Sequence, residues 1–270
     1  MPFDSLNNCR YYYEIQGKGP AILFLHGFTG SSENWKPISQ VLAKDFKIIM
    51  PDLLGHGRSD SPSDFQRYTI EAITRDMIAL LDHLNIETVR LVGYSMGGRL
   101  ALYIALHYPQ RIQQLILESS SPGLREAQER EARQQKDTEL AHFILANPIE
   151  VFTNYWESLD LWKSQEGLNP EAVMHLRQIR LKNHQTGLAN SLLGMGTGVQ
   201  PSLWEDLGAL PMPVALIVGG FDKKFSGINE SMCQMIRDCE LYRVEKAGHT
   251  VHLEQRAIYL SILSKLFRRE

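Results

Sequence analysis

Residues 89–109 read VRLVGYSMGGRLALYIALHYP, and this stretch decides the fold. Its apolar beginning, residues 89–93, is typical of a buried strand, and the residues from Met96 onward suit a helix. The junction carries the G-x-S-x-G motif Gly93-Tyr94-Ser95-Met96-Gly97. In such a motif the serine occupies a sharp strand-to-helix turn, and the glycines remove Cβ atoms that would clash there. A chance pentapeptide or a turn used only for packing is the alternative, but the flanking strand and helix favour a nucleophile, Ser95.

Short apolar runs on either side of this stretch alternate with helical patterns. They predict buried strands at Ala21 to Leu25, Lys47 to Met50, Ile112 to Glu118 and Val214 to Gly219. Apolar residues at helical spacing follow Thr69, which is a suitable N-cap. Residues 10–16 are predicted to form an antiparallel edge hairpin with residues 21–25, because GKGP between them favours a turn. The pattern indicates an α/β fold with a mostly parallel sheet flanked by helices.

The alternation stops between Pro122 and about Leu203, where no β-type run occurs. Helical patterns fill this segment, which lies between two predicted strands. We therefore expect a core formed by residues 1–121 and 204–270, and an inserted helical lid formed by residues 122–203. Such a lid would cover the carboxyl edge of the sheet, where open α/β proteins bind ligands.

A serine hydroxyl needs a histidine to take its proton and an acid to orient that histidine. In this kind of fold the chain order is serine, acid, histidine, and each partner follows a later strand. Asp222 follows the run VALIVGGF and His249 follows ELYRVEKAG. His26 and His56 precede the serine, and His252 lies three residues beyond the strand-end turn. We therefore predict a catalytic triad of Ser95, Asp222 and His249.

The strand at residues 21–25 is followed by His26-Gly27-Phe28. We expect the backbone amides of Phe28 and Met96 to form an oxyanion hole beside the serine. For His26 and Gly27 the alternative is a role in tight-turn geometry alone. The loop of residues 52–59, DLLGHGRS, is interpreted as scaffold.

Composition excludes several other classes of protein. The net charge of −3 gives no basic footprint for a nucleic-acid backbone, so nucleic acid is not expected as a partner. Neither a signal peptide nor a membrane-spanning run is predicted, and no membrane association is expected. The three cysteines, Cys9, Cys233 and Cys239, lack disulfide-framework spacing and are interpreted as free thiols in the cytoplasm. The pair His249-x-x-His252 lacks a third ligand, so neither a metal nor another cofactor is expected.

Together, the motifs L-H-G-F-x-G, D-x-x-G-H-G-x-S, G-x-S-M-G-G and A-G-H resemble the α/β-hydrolase superfamily over nearly the whole chain. More specific segments are similar to the 2-succinyl-6-hydroxy-2,4-cyclohexadiene-1-carboxylate synthase family within it. These segments are YSMGGR at 94–99, SPGL at 121–124, EAR at 131–133, LLGMGTGVQPSLW at 192–204 and DKKF at 222–225. This resemblance implies a lyase that acts in menaquinone or phylloquinone biosynthesis. Its substrate would be 2-succinyl-5-enolpyruvyl-6-hydroxy-3-cyclohexene-1-carboxylate, from which it would eliminate pyruvate.

The implied substrate is a small polycarboxylate, and arginine binds carboxylates through two parallel, charge-assisted hydrogen bonds. Arg99 is placed one helical turn after Ser95, on the same face of the helix. The resemblance assigns carboxylate binding to Arg133 and Arg180 as well. For Arg133 the alternative is an exposed helical pair with Glu129, which would carry no function. The other candidates that could line the pocket are aromatic: Tyr94, Tyr155, Trp156 and Trp162.

In the implied reaction Ser95, activated by His249, acts as a base that removes a ring proton, so no acyl-enzyme forms. Two alternatives stay open. A serine hydrolase of esters, thioesters or carbon-carbon bonds would use Ser95 as a nucleophile, and a non-catalytic protein would use the same fold to bind a ligand. A monomer or a small homo-oligomer is compatible with the sequence.

Overall fold

The structure, a computed structural model, describes residues 3–268. Its strands are β1 (Phe3–Leu6), β2 (Cys9–Gln16), β3 (Ala21–Leu25), β4 (Lys47–Pro51), β5 (Val89–Tyr94), β6 (Ile112–Glu118), β7 (Val214–Gly219) and β8 (Cys239–Val244). Its α-helices are α1 (Lys36–Leu42), α2 (Ile70–His83), α3 (Met96–His107), α4 (Ala127–Ala146), α5 (Ile149–Glu157), α6 (Pro170–Leu181), α7 (Gln185–Met195), α8 (Lys223–Met235), α9 (Val251–Glu254) and α10 (Arg256–Phe267). Short 3₁₀ helices cover Ser32–Trp35, Phe65–Tyr68, Pro109–Arg111, Asp160–Gly167 and Leu207–Ala209.

The eight strands form one sheet in the order β1-β2-β4-β3-β5-β6-β7-β8. The pairs β1/β2 and β2/β4 are antiparallel, and all the others are parallel. The five buried strands predicted from sequence are confirmed, with one-residue extensions at Pro51 and Tyr94. The prediction for α2 is confirmed too, since the Thr69 side chain accepts the amide of Ala72. The mostly parallel α/β architecture is therefore the one expected.

The predicted hairpin between residues 10–16 and β3 is wrong. Residues 9–16 do form an antiparallel strand, but its partners are β1 and β4. Gly17 and Gly19 adopt left-handed φ values of 71° and 113°, and a Cβ on Gly17 would lie 2.3 Å from the carbonyl oxygens of Ala43 and Phe46. The turn therefore packs against the loop between α1 and β4. This route carries β3 one position away from β2, and β4 occupies the place between them.

Side chains alternate between the two faces of the sheet, as the pleat of a strand requires. Ile22 and Phe24 pack on one face with residues of α1 and α10, whereas Leu23 and Leu25 pack on the other with residues of α2 and α3. With a helical layer on each face, the central strands are buried on both sides. Functional side chains can then emerge only at the ends of the strands.

Residues 119–213, all of which the structure describes, form helices and turns and no strand. Helices α4, α5 and α7 share a small apolar core of their own, which contains Ile144, Phe152, Leu188 and Leu192. The partly buried side chains of Phe28 and Trp156 pack against this core. The helical segment therefore lies over the loop that follows β3.

The interpretation of all three cysteines as free thiols is wrong. Cys233, in α8, and Cys239, at the start of β8, form a disulfide, and only Cys9 is a free cysteine among the described residues. The connection between α8 and β8 is three residues long and folds back, so the two Cα atoms lie 5.4 Å apart. That separation is typical of disulfides. None of the helices in residues 3–268 has the length and apolar character needed to cross a membrane.

Candidate active site

Ser95 occupies the turn between β5 and α3 with φ 50° and ψ −110°, a backbone conformation that residues other than glycine rarely adopt. Its amide donates to the carbonyl of Glu118 at 2.9 Å. A Cβ on Gly97 would lie 2.3 Å from the carbonyl oxygen of Leu25. The turn can therefore pack against the end of β3 only because glycine follows two residues after the serine. This close packing directs the start of α3 toward the loop that holds Phe28.

The three predicted triad residues meet at the carboxyl edge of the sheet. Ser95 Oγ lies 3.1 Å from His249 Nε2, and His249 Nδ1 lies 2.7 Å from Asp222 Oδ2. The other carboxylate oxygen of Asp222 accepts the amide of Phe225 at 3.2 Å and caps α8. Since His249 and Asp222 are almost fully buried, their contact is shielded from water. The arrangement lets Nδ1–H donate to the carboxylate while Nε2 accepts the serine proton.

The two predicted oxyanion donors belong to the loop after β3 and to the first residue of α3. Both Phe28 and Met96 line the cavity that contains Ser95 and His249. Among residues 3–268 neither backbone amide donates to another residue. His26 holds this loop, because its Nδ1 is 2.8 Å from the Gly27 carbonyl and its Nε2 accepts the Leu53 amide. Burial lowers the pKa of His26 to about 4, so this imidazole is a neutral structural support.

A cavity of about 250 Å³ lies between the triad and the helical segment. Of the predicted site residues, it is lined by Tyr94, Ser95, Met96, Phe28, Arg99, Arg133, Trp156, Trp162 and His249. The Trp162 ring meets the His249 ring edge-on, with centroids 5.9 Å apart. Trp156 in turn contacts Phe28, with centroids 5.3 Å apart. The two tryptophans of the helical segment therefore pack beside the candidate triad, Trp162 against His249 and Trp156 against Phe28.

Arg99 is a largely buried cation in the wall of this cavity. Its Nη1 donates to the carbonyl of Met195 and to Oε1 of Gln200, each at 2.8 Å. Within the described chain no carboxylate lies within salt-bridge distance of it. Burial, and secondarily the charge of Arg133, lowers the pKa of Arg99 to about 10, which still leaves it charged at neutral pH. A cavity that contains a cation without a directly bonded carboxylate favours an anionic ligand.

The run of residues 192–204, whose role sequence alone left open, packs against Arg99 and α4. Gly196 allows a close approach there, because a Cβ on it would lie 2.6 Å from Oδ2 of Asp137. The other oxygen of Asp137 accepts Nε of Arg133 at 2.8 Å. The alternative pair of Arg133 with Glu129 is wrong, because Arg133 bonds to Asp137, one helical turn further along α4. Arg133 thereby lines both the cavity beside the triad and an adjoining outer pocket.

Two predicted substrate-binding residues do not line the cavity. The Arg180 side chain is only 6% exposed, donates to Glu157 at 2.9 Å, and lies 5.2 Å from the Trp162 ring centroid. It therefore stands behind Trp162. Tyr155 is 45% exposed and lines the outer pocket, where its ring contacts Phe143. A helix presents neighbouring residues to different sides, so Trp156 faces the cavity and Tyr155 does not.

Lys224 and Phe225 also line the cavity, although sequence reasoning did not select them as site residues. The Phe225 ring centroid is 4.6 Å from that of His249. The sequence could have indicated both residues, because they directly follow Asp222 and must emerge at the same edge of the sheet.

Comparisons with known proteins place this geometry in context. A family model described as the alpha/beta hydrolase fold matches residues 20–255. A Bacillus subtilis (strain 168) protein provisionally named 2-succinyl-6-hydroxy-2,4-cyclohexadiene-1-carboxylate synthase is 43% identical over 94% of this chain and 93% of its own length. The structure of MenH from S. aureus superposes with a TM-score of 0.90 and 32% identity, covering 94% of this chain and 96% of that one. A malate-bound esterase from Thermogutta terrifontis has a TM-score of 0.86 at 25% identity, with coverages of 99% and 97%.

Proposed function

Because the chain belongs to the α/β-hydrolase-fold family and is 43% identical to a 2-succinyl-6-hydroxy-2,4-cyclohexadiene-1-carboxylate synthase, we propose that it is a lyase with that activity. It eliminates pyruvate from 2-succinyl-5-enolpyruvyl-6-hydroxy-3-cyclohexene-1-carboxylate in menaquinone or phylloquinone biosynthesis. The product is 2-succinyl-6-hydroxy-2,4-cyclohexadiene-1-carboxylate. The substrate is a small molecule, and cytoplasmic location is part of the proposal.

The observation that carries this proposal is the position of Arg99. Its guanidinium lines the same cavity as Ser95 and has only neutral protein partners. A carboxylate of the substrate would supply the missing negative charge beside the base. Arg133, which lines the same cavity, offers a second cation, and Tyr94, Trp156 and Phe28 supply apolar surface for the ring. Arg180 and Tyr155 would act on the substrate only through a movement of the lid or through Trp162.

In the proposed reaction His249 accepts the proton of Ser95, and the serine oxygen removes the ring proton α to the succinyl carbonyl. The electron pair of that C–H bond forms a ring double bond, the existing double bond shifts, and the carbon-oxygen bond to the enolpyruvyl group breaks. The departing enolpyruvate takes a proton from the site and tautomerises to pyruvate. Asp222 stabilises the imidazolium, and the amides of Phe28 and Met96 stabilise the enolate-like oxygen.

The aromatic lining supports elimination over hydrolysis, because Trp162 and Trp156 place apolar surface beside the triad, which would disfavour attack by water. A serine hydrolase is the second candidate, because the Ser-His-Asp geometry and the similarity to an esterase suit a nucleophile equally well. Hydrolysis must pass through a covalent acyl-enzyme on Ser95, whereas elimination forms none.

The experiment supplies purified protein with the enolpyruvyl substrate and follows pyruvate through a coupled dehydrogenase assay and the diene by absorbance. We expect equal amounts of both products and no substrate adduct on Ser95 by intact mass. Ser95→Ala should keep the fold and lose several orders of magnitude in kcat. Ser231→Ala is the matched control, because the Ser231 hydroxyl donates to the Gly227 carbonyl and Ser231 does not line the cavity. A covalent adduct on Ser95, or ester cleavage without pyruvate release, would contradict the lyase.

A further inference from the structure

A second acid–histidine pair lies buried behind the triad. Glu118 and His252 have side chains that are 0% and 2% exposed, and His252 Nδ1 is 2.9 Å from each carboxylate oxygen of Glu118. The backbone amide of His252 also donates to Oε1 of Glu118, at 3.1 Å. Neither residue lines the catalytic cavity. The proposed reaction therefore makes no direct use of this pair.

Glu118 is connected to the nucleophile through its main chain. It is the last residue of β6, it pairs in register with Tyr94, and its carbonyl accepts the amide of Ser95. Ser95 has a positive φ, which costs about 1–3 kcal/mol and persists only where surrounding contacts impose it. Glu118 provides one of those contacts.

The same residue is connected to the catalytic histidine through its carboxylate. His252 stands in α9, three residues after His249, and both histidine rings pack against Tyr94, with centroids 4.9 and 5.5 Å away respectively. The hydroxyl of Tyr94 lies 3.3 Å from that of Thr250, between the two histidines in the chain. Glu118 thus joins, by hydrogen bonds, the turn that carries Ser95 and the segment that carries His249.

We propose that Glu118 and His252 are positioning residues that set the distance between Ser95 Oγ and His249 Nε2. The proposal rests on the triad assigned above, and it predicts an effect on the chemical step with little effect on substrate binding. A displacement of about 1 Å at a reacting group can lower the rate on the order of 100-fold. Loss of the pair should therefore reduce kcat more than it changes KM.

The first test replaces Glu118 by glutamine, which keeps the shape but turns an amide group against the N–H donors of His252. We expect Glu118→Gln to lower kcat at least ~10-fold, with KM within about twofold of wild type. Asp76→Asn is the matched control. Asp76 is also a fully buried carboxylate with several donors, namely Tyr11, Asn7 and Arg67, and it lies outside the cavity. It should lower Tm and leave the kcat of the folded enzyme unchanged.

A second pair of variants covers the case in which Glu118→Gln does not fold. Asparagine at position 252 can place an amide N–H near the site of imidazole Nδ1, whereas alanine cannot. We therefore expect His252→Asn to retain kcat within about threefold and His252→Ala to lose about as much as Glu118→Gln. Wild-type kcat in folded His252→Ala would overturn the proposal, as would equal losses in the alanine and asparagine variants.

A readout independent of the substrate separates this proposal from the proposed function. The rate at which a fluorophosphonate labels Ser95, followed by intact mass, depends on activation of the serine by His249 and not on the identity of the natural substrate. Labelling should slow at least ~10-fold in Glu118→Gln and His252→Ala, and stay unchanged in Asp76→Asn. If wild type labels rapidly but releases no pyruvate, the lyase assignment fails while the positioning role still stands. Undiminished labelling in both folded variants would refute the positioning role.

Discussion

Replacing Arg99 by alanine is the most direct perturbation of the proposed substrate site. In the structure Nη1 of Arg99 serves both protein acceptors, Met195 O and Gln200 Oε1, whereas Nε and Nη2 donate to no described residue. Those remaining N–H groups are the ones available for a substrate carboxylate. A hydrogen bond to a charged group contributes about 1.5–3 kcal/mol. Since about 1.4 kcal/mol corresponds to a factor of ten, loss of a two-point contact should reduce kcat/KM roughly 100-fold or more.

The assay is steady-state release of pyruvate, combined with calorimetry to show that the variant is folded. Arg99→Lys retains the charge without the planar fork and should recover only part of the loss. Arg111→Ala is the control. Arg111, like Arg99, donates to two acceptors other than carboxylates, the carbonyls of Glu87 and Ile86, and it also pairs with Asp82. It precedes β6 and so lies at the opposite end of the sheet. It should lower Tm and leave kcat/KM unchanged.

One result would refute this reasoning. If folded Arg99→Ala retains kcat/KM within about threefold of wild type while its Tm falls, Arg99 serves to hold Met195 and Gln200, and no substrate carboxylate binds there. The glycine-rich run would then be a structural partner of α3, and the polycarboxylate specificity would have to come from Arg133 and the lid.

Asp222→Asn and His249→Ala should each reduce kcat by several orders of magnitude. The double variant should have nearly the same kcat as either single variant, because the residues act as a unit. Additive losses in a double-mutant cycle would indicate that Ser95 has another partner. Arg133→Ala should raise KM and weaken the salt dependence of kcat/KM. Arg180→Ala should raise KM through Trp162 and also lower Tm, because Glu157 loses a buried partner. Unchanged kinetics in both variants would mean that these arginines have only a structural role. The free energy of unfolding should fall as pH drops from about 6.5 to about 4, because His26 in the folded protein takes up its proton only near pH 4, while the unfolded chain does so near 6.5. Urea midpoints at pH 7 and 5 should differ less in His26→Gln than in wild type, and an equal difference would show that His26 does not contribute.

The central strands and α2 could be predicted because their signals are local. Burial on both faces requires continuous apolar runs such as 214–219, and a helix start needs a side-chain acceptor such as Thr69. The partner of β2 could not be predicted in the same way. Pairing depends on where β4 returns to the sheet, and that follows from the packing of the turn at 17–19 against residues distant in sequence. The bond between Cys233 and Cys239 depends equally on the fold-back between α8 and β8.

The residues of the candidate site likewise divide into those that the local sequence predicts and those that it does not. Ser95, Asp222 and His249 could be chosen from the sequence alone, because parallel strands must bring their carboxyl ends to one edge, and each residue is the first suitable one after its strand. No such rule applies to residues of the helical segment, because helical periodicity predicts which residues share a face but not which part of the protein that face contacts. Tertiary structure alone decided that Arg133 bonds to Asp137, that Arg180 stands behind Trp162, and that Trp156 rather than Tyr155 lines the cavity. The chain's local pattern therefore determined the central strands and the edge at which Ser95, Asp222 and His249 meet. The direction of each side chain in the helical segment was determined by packing between segments far apart in sequence, because only that packing excludes the other rotamers.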